Sequence, residues 1–426
     1  MLDVTLIRTH PDRVRDALRK RAVDADIPAF LALDAAFREA RTAVERLRGE
    51  RRRISADIAV RHRAGEPAAG LRAEAKDLTG RLTAAEAELA RLAREHQDFL
   101  DALPNLPDDD VAAGGKEHNR VVRVTGTPPG FEGFAPRDHV RLSEDLGLID
   151  HRRGTRLAGS GYWVYRGEGA ALEWALLNHF LDTHRRAGYE FVLPPHLLTR
   201  EAGYTAGQFP KFADEVFRTD DGHFLLPTAE TALVNLHRDE TLDEAELPLK
   251  YVAYTPCYRK ERGGYRTAER GTLRGHQFNK VELFQFTRPE DSDAAHRELL
   301  ECAAELVAGM GLHHRVTELA AGDISPAQAR TYDVEVWLPS LKAYAEVSSV
   351  SNAREYQARR GGIRYRPRGG GRTAYVHTLN ASGLATSRLL PAILEQCQRA
   401  DGTVEVPAVL RRWGAPEFLR PRVTRG

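Results

Sequence analysis

Cysteine is scarce in this chain: only Cys257, Cys302 and Cys397 occur, far apart and with no CxxC pair. That excludes a disulfide framework and a four-thiolate zinc site, and it fits a reducing cytoplasm. No run of roughly 18 apolar residues occurs, so no membrane-spanning helix is expected. The opening Met1-Leu2-Asp3-Val4-Thr5 lacks a basic stretch followed by an apolar one, so no secretory signal is expected either. Charge of one sign is not in excess: 62 Lys and Arg against 61 Asp and Glu leave a net charge of +1. Affinity for nucleic acid must therefore come from where charge sits, not from its sum. Also missing are a P-loop lysine signature, a GxGxxG opening a βαβ unit and any internal repeat. Their absence argues against the common nucleotide folds. What remains is a globular balance of 42% hydrophobic and 29% charged residues over 426 positions, enough for two or three domains with a large core.

The first hundred residues predict two long helices. Phe30, Leu33, Phe37, Ala40, Val44, Leu47, Ile54 and Ile58 form a 3-4 heptad seam with Arg51 as its one polar position. A second seam runs through Leu71, Ala75, Leu78, Leu82, Ala85, Leu89, Leu92, His96 and Phe99. The Gly and Pro of His62–Gly70 permit a reversal between them, giving an antiparallel hairpin with each arm roughly 45 Å long. Such a hairpin serves either oligomerisation or nucleic-acid binding. The crowding of Arg46, Arg48, Arg51, Arg52, Arg53, Arg61 and Arg63 on the outward half of the first helix, against Glu45, Glu50 and Asp57, suits a phosphate backbone.

From Pro104 to about Arg137 the chain is rich in Pro, Gly and Asp and reads as a connector. Beyond it, short β-rich runs alternate with helical stretches: Phe217–Leu226, Tyr251–Tyr258, Val281–Phe286, Thr331–Trp337 and Ala343–Ser349. They predict an α+β fold, an antiparallel sheet flanked by helices behind an N-terminal coiled-coil hairpin. The tail from Arg411 to Gly426 is basic and expected to be loose. The expected division is 1–103, with the arm at about 30–100, then a connector over 104–137 and a catalytic domain over 138–426.

Three segments of the second half carry chemistry. A hairpin holds Arg259, Lys260, Arg262, Arg266, Arg270 and Arg274, and it returns through His276-Gln277-Phe278-Asn279-Lys280-Val281-Glu282. An arginine there offers a planar fork to phosphate and a neighbouring Phe can stack on a purine, although a solvated basic loop has the same composition. In Glu346-Val347-Ser348-Ser349 a carboxylate precedes a hydroxyl by three positions. Such a pair can hold Mg²⁺, or can be an ordinary strand end. Asn380-Ala381-Ser382-Gly383-Leu384 precedes Arg388 and an apolar helix, giving either a second phosphate contact or a plain helix start. Together the segments suggest ATP-dependent ligation, driven by electrostatic stabilisation of phosphate without a covalent nucleophile.

Along essentially its whole length the sequence resembles the bacterial-type seryl-tRNA synthetases, of class II. The resemblance is carried by Met1-Leu2-Asp3 with Ile7-Arg8, the long hairpin, Leu103–Pro107, Gly147–Asp150 and Gly207–Phe212. The class motifs resemble Gly188–Pro195 for motif 1, Arg259–Glu282 for motif 2 and Asn380–Leu394 for motif 3, and Pro227-Thr228-Ala229-Glu230 resembles the serine-binding segment. The resemblance implies that serine attacks the α-phosphate of Mg-ATP and that the seryl group then passes to the 3′ end of serine tRNA. It implies an ATP site at Arg259, Lys260, Glu261, Phe278, Glu346, Val347, Ser348, Ser349 and Arg388, with Arg259 and Arg388 as the catalytic arginines. Arg259 would hold the α-phosphate, Glu261 would read the adenine amino group, Phe278 would stack, and Arg388 would meet the γ-phosphate. Mg²⁺ would sit on Glu346 and Ser349, and serine on Thr228, Ala229, Glu230, Glu282 and Ser382. The arm, through Arg46, Arg48, Arg52, Arg53, Arg61 and Arg63, would reach the long variable arm of the tRNA. A cytoplasmic homodimer joined through motif 1 is implied too.

Departures from the family pattern are confined. Arg259-Lys260-Glu261-Arg262-Gly263 stands where Arg-Ser-Glu-Ala-Gly is usual, and Gly264–Glu269 differs as well. Ala381 replaces a glycine, and Thr386-Ser387 replaces Val-Gly. They leave two alternatives beside a housekeeping ligase: a paralogue of an antibiotic pathway, or a non-catalytic RNA-binding protein on the same scaffold.

Overall fold

The computed structural model describes residues 1–261 and 270–421. The chain divides into two compact units, one of Leu2–Arg19 with Val23–Pro104, the other of Met1, Lys20–Ala22 and Asn105–Gly426.

In the smaller unit two short helices, α1 (Val4–Thr9) and α2 (Pro11–Lys20), precede the long α3 (Ile27–Arg63) and α4 (Ala69–Ala102). Asp26 starts α3 by accepting a hydrogen bond from the Ala29 amide at 2.9 Å. Pro28 sits in the first turn, where its missing N–H is no loss. At 37 residues α3 reaches about 55 Å, longer than the seam alone predicts. Gly65, at φ +68°, allows the reversal. Val44, Leu47 and Ile54 interlock with Leu78 and Leu82. Arg51, expected in the seam, is exposed instead. A straight helix drifts off a strict heptad, and the guanidinium stays in water. At the root of the hairpin the buried Asp34 receives Arg8 at 2.6 Å, Arg38 at 3.1 Å and His96 at 3.1 Å. The Arg8 hydrogen bonds outweigh burial and hold this carboxyl at about 2.

The larger unit is built on eight strands: β1 (Arg120–Thr125), β2 (Glu190–Val192), β3 (Leu249–Tyr258), β4 (Gln277–Thr287), β5 (His314–Glu318), β6 (Arg330–Leu338), β7 (Ala343–Arg354) and β8 (His377–Ala385). Their spatial order is β1-β5-β6-β7-β8-β4-β3-β2. Every pairing is antiparallel except β2 with β3, which are joined by a long crossover and run parallel. Helices α5 (Glu168–Arg186), α6 (Ser292–Gly309), α7 (Tyr356–Gly361) and α8 (Thr386–Gln396) accompany the sheet. Alternation along β4 sorts its two faces. Val281 and Leu283 enter the main core with Leu176, Phe180, Leu299, Leu379 and Ile393, whereas Phe284 and Phe286 enter a second core with Leu233, Ala358 and Ile363. Lys280 and Glu282 share the parity of Phe284, so the second face carries the polar side chains.

Two expectations change. Phe217–Leu226 is not one strand: it folds back at a tight turn, with the Gly222 amide donating to the Thr219 carbonyl, so that Arg218 bridges antiparallel to Phe224 and only Phe224–Leu225 forms a strand. Asp220-Asp221-Gly222 supplies that turn. The tail is not loose throughout, because Phe418–Leu419 pairs with Val404–Glu405. Arg262, Arg266 and the divergent Gly264–Glu269, as well as residues 422–426, lie outside the described residues.

Candidate active site

The β3–β4 hairpin places the first group of side chains. The Arg259 amide donates to the His276 carbonyl at 2.9 Å, closing the base of the hairpin. Arg259 Nε donates to the Pro227 carbonyl at 3.2 Å, and its guanidinium lies 5.2 Å from the centre of the Phe278 ring. Arg274 pairs with Glu261 at 2.7 Å. The Lys260 ammonium lies 5.9 Å from the Phe217 ring centre. Arg259, Glu261, Phe278, Lys280, Ser382 and Arg388 border a cavity of about 170 Å³.

A wider cleft of about 720 Å³ adjoins it, sharing Glu346 and Arg388. On a regular strand Glu346 and Ser349 would point to opposite faces. The β6–β7 register shifts between Val334 and Glu335, which pair with Ser348 and Glu346, so Val347 is an extra residue. This bulge turns Glu346 and Ser349 to the same cleft, which Asp333 and Glu335 also line. Val347 instead packs in the main core, and the buried Ser348 donates to the Ser382 carbonyl at 2.6 Å. Arg388 meets the Glu346 carboxylate at 3.1 Å and its carbonyl at 3.0 Å. Burial pushes Glu346 up, but Arg388, Arg259 and Lys280 together carry it below the ordinary carboxylate range. Asp333 goes the other way: burial first, then the charge of Glu346, raise it well above its usual value. One Asp333 oxygen is buried with no hydrogen bond among the described residues.

Three of the residues expected to hold serine, Thr228, Glu230 and Glu282, belong to one closed ring of polar contacts. The Glu230 amide donates to Thr228 Oγ1 at 3.3 Å, and that oxygen accepts from Lys280 Nζ at 2.7 Å. Lys280 pairs with the buried Glu282. Asn380 Nδ2 donates to Glu282 Oε1 at 3.2 Å. Gln328 Nε2 closes the ring, reaching Asn380 Oδ1 at 3.2 Å and Glu230 Oε1 at 3.1 Å. Gln357 Nε2 also donates to Glu230 Oε1, at 2.8 Å. Two acids face one base here. Burial and the charge of Glu282 lift Glu230 to about 7, against the pull of Gln357, Lys280 and Gln328. Ser382 pairs in register with Glu282 across β8 and β4, while Ala229 packs in the second core.

Sequence reasoning missed Lys280, Gln328, Gln357, Asp333 and Asn380 as participants. Lys280 and Asn380 stand inside segments already singled out, whereas the two glutamines carry no local signal. In the smaller unit Arg46, Arg52, Arg53, Arg61 and Arg63 are exposed and make no ion pair among the described residues, and Arg48 is tied to Glu45 and Glu86, each at 2.9 Å. Among the described residues no helix is long and apolar enough to cross a membrane.

Comparisons with known proteins agree with this arrangement. The seryl-tRNA synthetase N-terminal domain family matches residues 1–107, and the class II tRNA synthetase core domain (G, H, P, S and T) matches 213–397. Serine–tRNA ligase 2 of Clostridium acetobutylicum is 54% identical, covering 98% of this chain and 100% of that protein. Serine–tRNA ligase of Nitratidesulfovibrio vulgaris is 44% identical over 96% of this chain and 97% of its own. The crystal structure of seryl-tRNA synthetase from Pyrococcus horikoshii complexed with ATP superposes with a TM-score of 0.91 at 34% identity, covering 99% and 100% of the two chains. The cytoplasmic serine–tRNA ligase of Naegleria fowleri, in complex with AMP, gives 0.86 at 26% identity over 99% of each. By sequence along its whole length and by fold, the chain belongs to the seryl-tRNA synthetase family of class II.

Proposed function

We propose that the protein is a serine–tRNA ligase: it activates L-serine with ATP and passes the seryl group to tRNA. A serine carboxylate oxygen attacks the α-phosphorus, the bond to the β-phosphate oxygen breaks, and seryl-adenylate and pyrophosphate result. The 3′-terminal ribose hydroxyl of the tRNA then attacks the seryl carbonyl, and AMP leaves. The observation that carries this reading is the acid-rich ring beside the Arg259–Phe278 pair. Glu230 and Glu282 face one Lys280, so ionisation of Glu230 leaves a carboxylate in excess to pair with an α-ammonium. Arg259 next door suits a phosphate or a carboxylate, and Phe278 suits adenine stacking. Buried polar groups in so small a pocket penalise a substrate lacking the hydroxyl, and its walls penalise one with an extra methyl. Positioning and charge carry the rate, with no nucleophile from the protein.

The donor set of the wider cleft fits Mg²⁺ held together with a polyphosphate. Among the described residues no three His, Cys, Asp or Glu side chains form a metal cage. Glu346 and Ser349, with the unbonded oxygen of Asp333 close by, are the few hard oxygens that Mg²⁺ takes from protein when phosphates supply the rest. The ion would offset phosphate charge, and Arg388 would turn from Glu346 to the γ-phosphate. The exposed arginines of the α3–α4 arm support contact with the variable arm of the tRNA. The exposed Leu157, Trp174, Phe191, Leu193 and Leu197 around motif 1 support a homodimer.

The second reading, a synthetase paralogue of an antibiotic pathway, rests on the motif 3 departure. Thr386, where valine is usual, donates to the buried Glu173 and ties the motif to α5. Serine-dependent exchange of pyrophosphate into ATP, followed by charging of tRNA, tests the activity itself. Complementation of a strain whose own enzyme is repressed separates the two readings.

A further inference from the structure

Gln328 lies in the loop between β5 and β6, and that loop is firmly held. Arg21 donates to the Ala321 carbonyl at 3.2 Å, to the Ile324 carbonyl at 3.0 Å and to the Gln328 carbonyl. Asn105 holds the neighbouring Ala327 carbonyl at 3.0 Å. The Gln328 side chain is buried, and its orientation is forced. Glu282 accepts only, so it fixes Asn380 with its amide nitrogen toward Glu282 and its oxygen toward Gln328. Glu230 and that oxygen together demand the amide nitrogen of Gln328. Its carbonyl oxygen is then left buried with no donor among the described residues. Gln357 meets the same Glu230 oxygen as Gln328 does, and it is itself locked by Thr378 at 2.6 Å and the Ala206 carbonyl at 3.0 Å. Two amides thus pin Oε1 of Glu230, while Oε2 carries no hydrogen bond among the described residues. Buried acceptors are ordinarily satisfied, so the open amide oxygen of Gln328 beside that carboxylate marks the place of a ligand's donor.

We propose that Gln328 is a positioning residue for amino-acid selection: its amide nitrogen fixes Glu230 and, through Asn380, ties it to Glu282, leaving Glu230 Oε2 and the Gln328 carbonyl oxygen to the donor groups of the bound amino acid. This rests on the ligase reading and assigns part of its specificity to a residue outside the class motifs. Gln328 lowers the proton affinity of Glu230, as do Gln357 and Lys280, while burial and Glu282 raise it. Those are the charged and polar groups facing Glu230. Losing the Gln328 donor therefore makes Glu230 ionise at higher pH.

The test is serine-dependent ATP–pyrophosphate exchange by the full-length protein between pH 6 and 9. For the wild type the KM for serine should fall as pH rises through about 7, where Glu230 is expected to ionise. Gln328→Met should raise the serine KM at pH 7 by about tenfold, leave the KM for ATP within about twofold and displace the fall to higher pH. Gln328→Glu keeps the size, puts a second acid beside Glu230 and should displace the fall as well. A wild-type serine KM and pH profile in either folded variant overturns the assignment, as does an equal rise in the ATP and serine KM values. Absence of exchange in the wild type would instead overturn the ligase reading.

Discussion

Glu230 and Glu282 share one pocket with a single lysine, and burial with the charge of Glu282 lifts the Glu230 carboxyl to about 7. In the reading proposed above, an arriving ammonium takes the place of the carboxyl proton, which couples serine binding to pH. Arg388 pairs instead with Glu346, and in the same reading it serves the phosphate side. Arg388→Ala should cut pyrophosphate exchange by at least about a hundredfold, or about 3 kcal/mol, because charge developing on phosphate loses a fixed donor. Filter binding should find tRNA affinity within about twofold of the wild type, and a comparable loss of affinity would remove Arg388 from the ATP site. At this scale the residues whose grouping was legible were those in contiguous motifs, Arg259, Glu261, Phe278 and Arg388, which the fold brings to one cavity. The glutamines were not legible, because an amide in a loop has meaning only once the fold brings a carboxylate to it. Glu346 and Ser349 were legible as a pair, but their spacing works only through a bulge that no pattern of side chains announces.

The elements divide the labour. The hairpin of α3 and α4 was plain from its heptads, and its ends moved outward because caps and a glycine, not the apolar seam, set them. Deleting 30–99 should leave exchange intact and abolish most tRNA charging, and a truncated protein that charges normally would remove the arm from tRNA recognition. The buried Asp34 at its root was not legible, because a lone acid on a helix reads as solvated. Asp34→Asn removes the charged partner of the half-exposed Arg8 and should lower the stability of this unit by about 1 kcal/mol in urea titration. A second buried acid, Glu173, joins α5 to α8. Burial lifts it to about 7, despite hydrogen bonds from Thr386 and Asn279. The unfolded chain loses this proton near its ordinary 4.5, so between 4.5 and 7 it binds fewer protons than the fold does, and stability falls as pH rises. Glu173→Gln should flatten that part of the slope and raise the melting temperature at pH 8, and an unchanged slope would contradict the burial account.

Over the whole molecule, the antiparallel sheet and helical arm followed from short β-rich runs behind a heptad pair, while the parallel edge strand Glu190–Val192 did not. Three residues carry too little pattern, and their pairing is decided by a crossover. The region around that strand also exposes Trp174 at 56% and Leu193 at 71%. In the dimer proposed above both are covered. Trp174→Glu with Leu193→Glu should shift sedimentation toward a monomer and depress exchange with it; an unchanged dimer would place the interface elsewhere. The central claim is tested most directly by incubating the purified full-length protein with ATP, Mg²⁺, total bacterial tRNA and labelled serine, alanine or threonine. The account predicts labelled tRNA with serine alone, and stoichiometric AMP. Unlabelled tRNA together with no serine-dependent pyrophosphate exchange would contradict it.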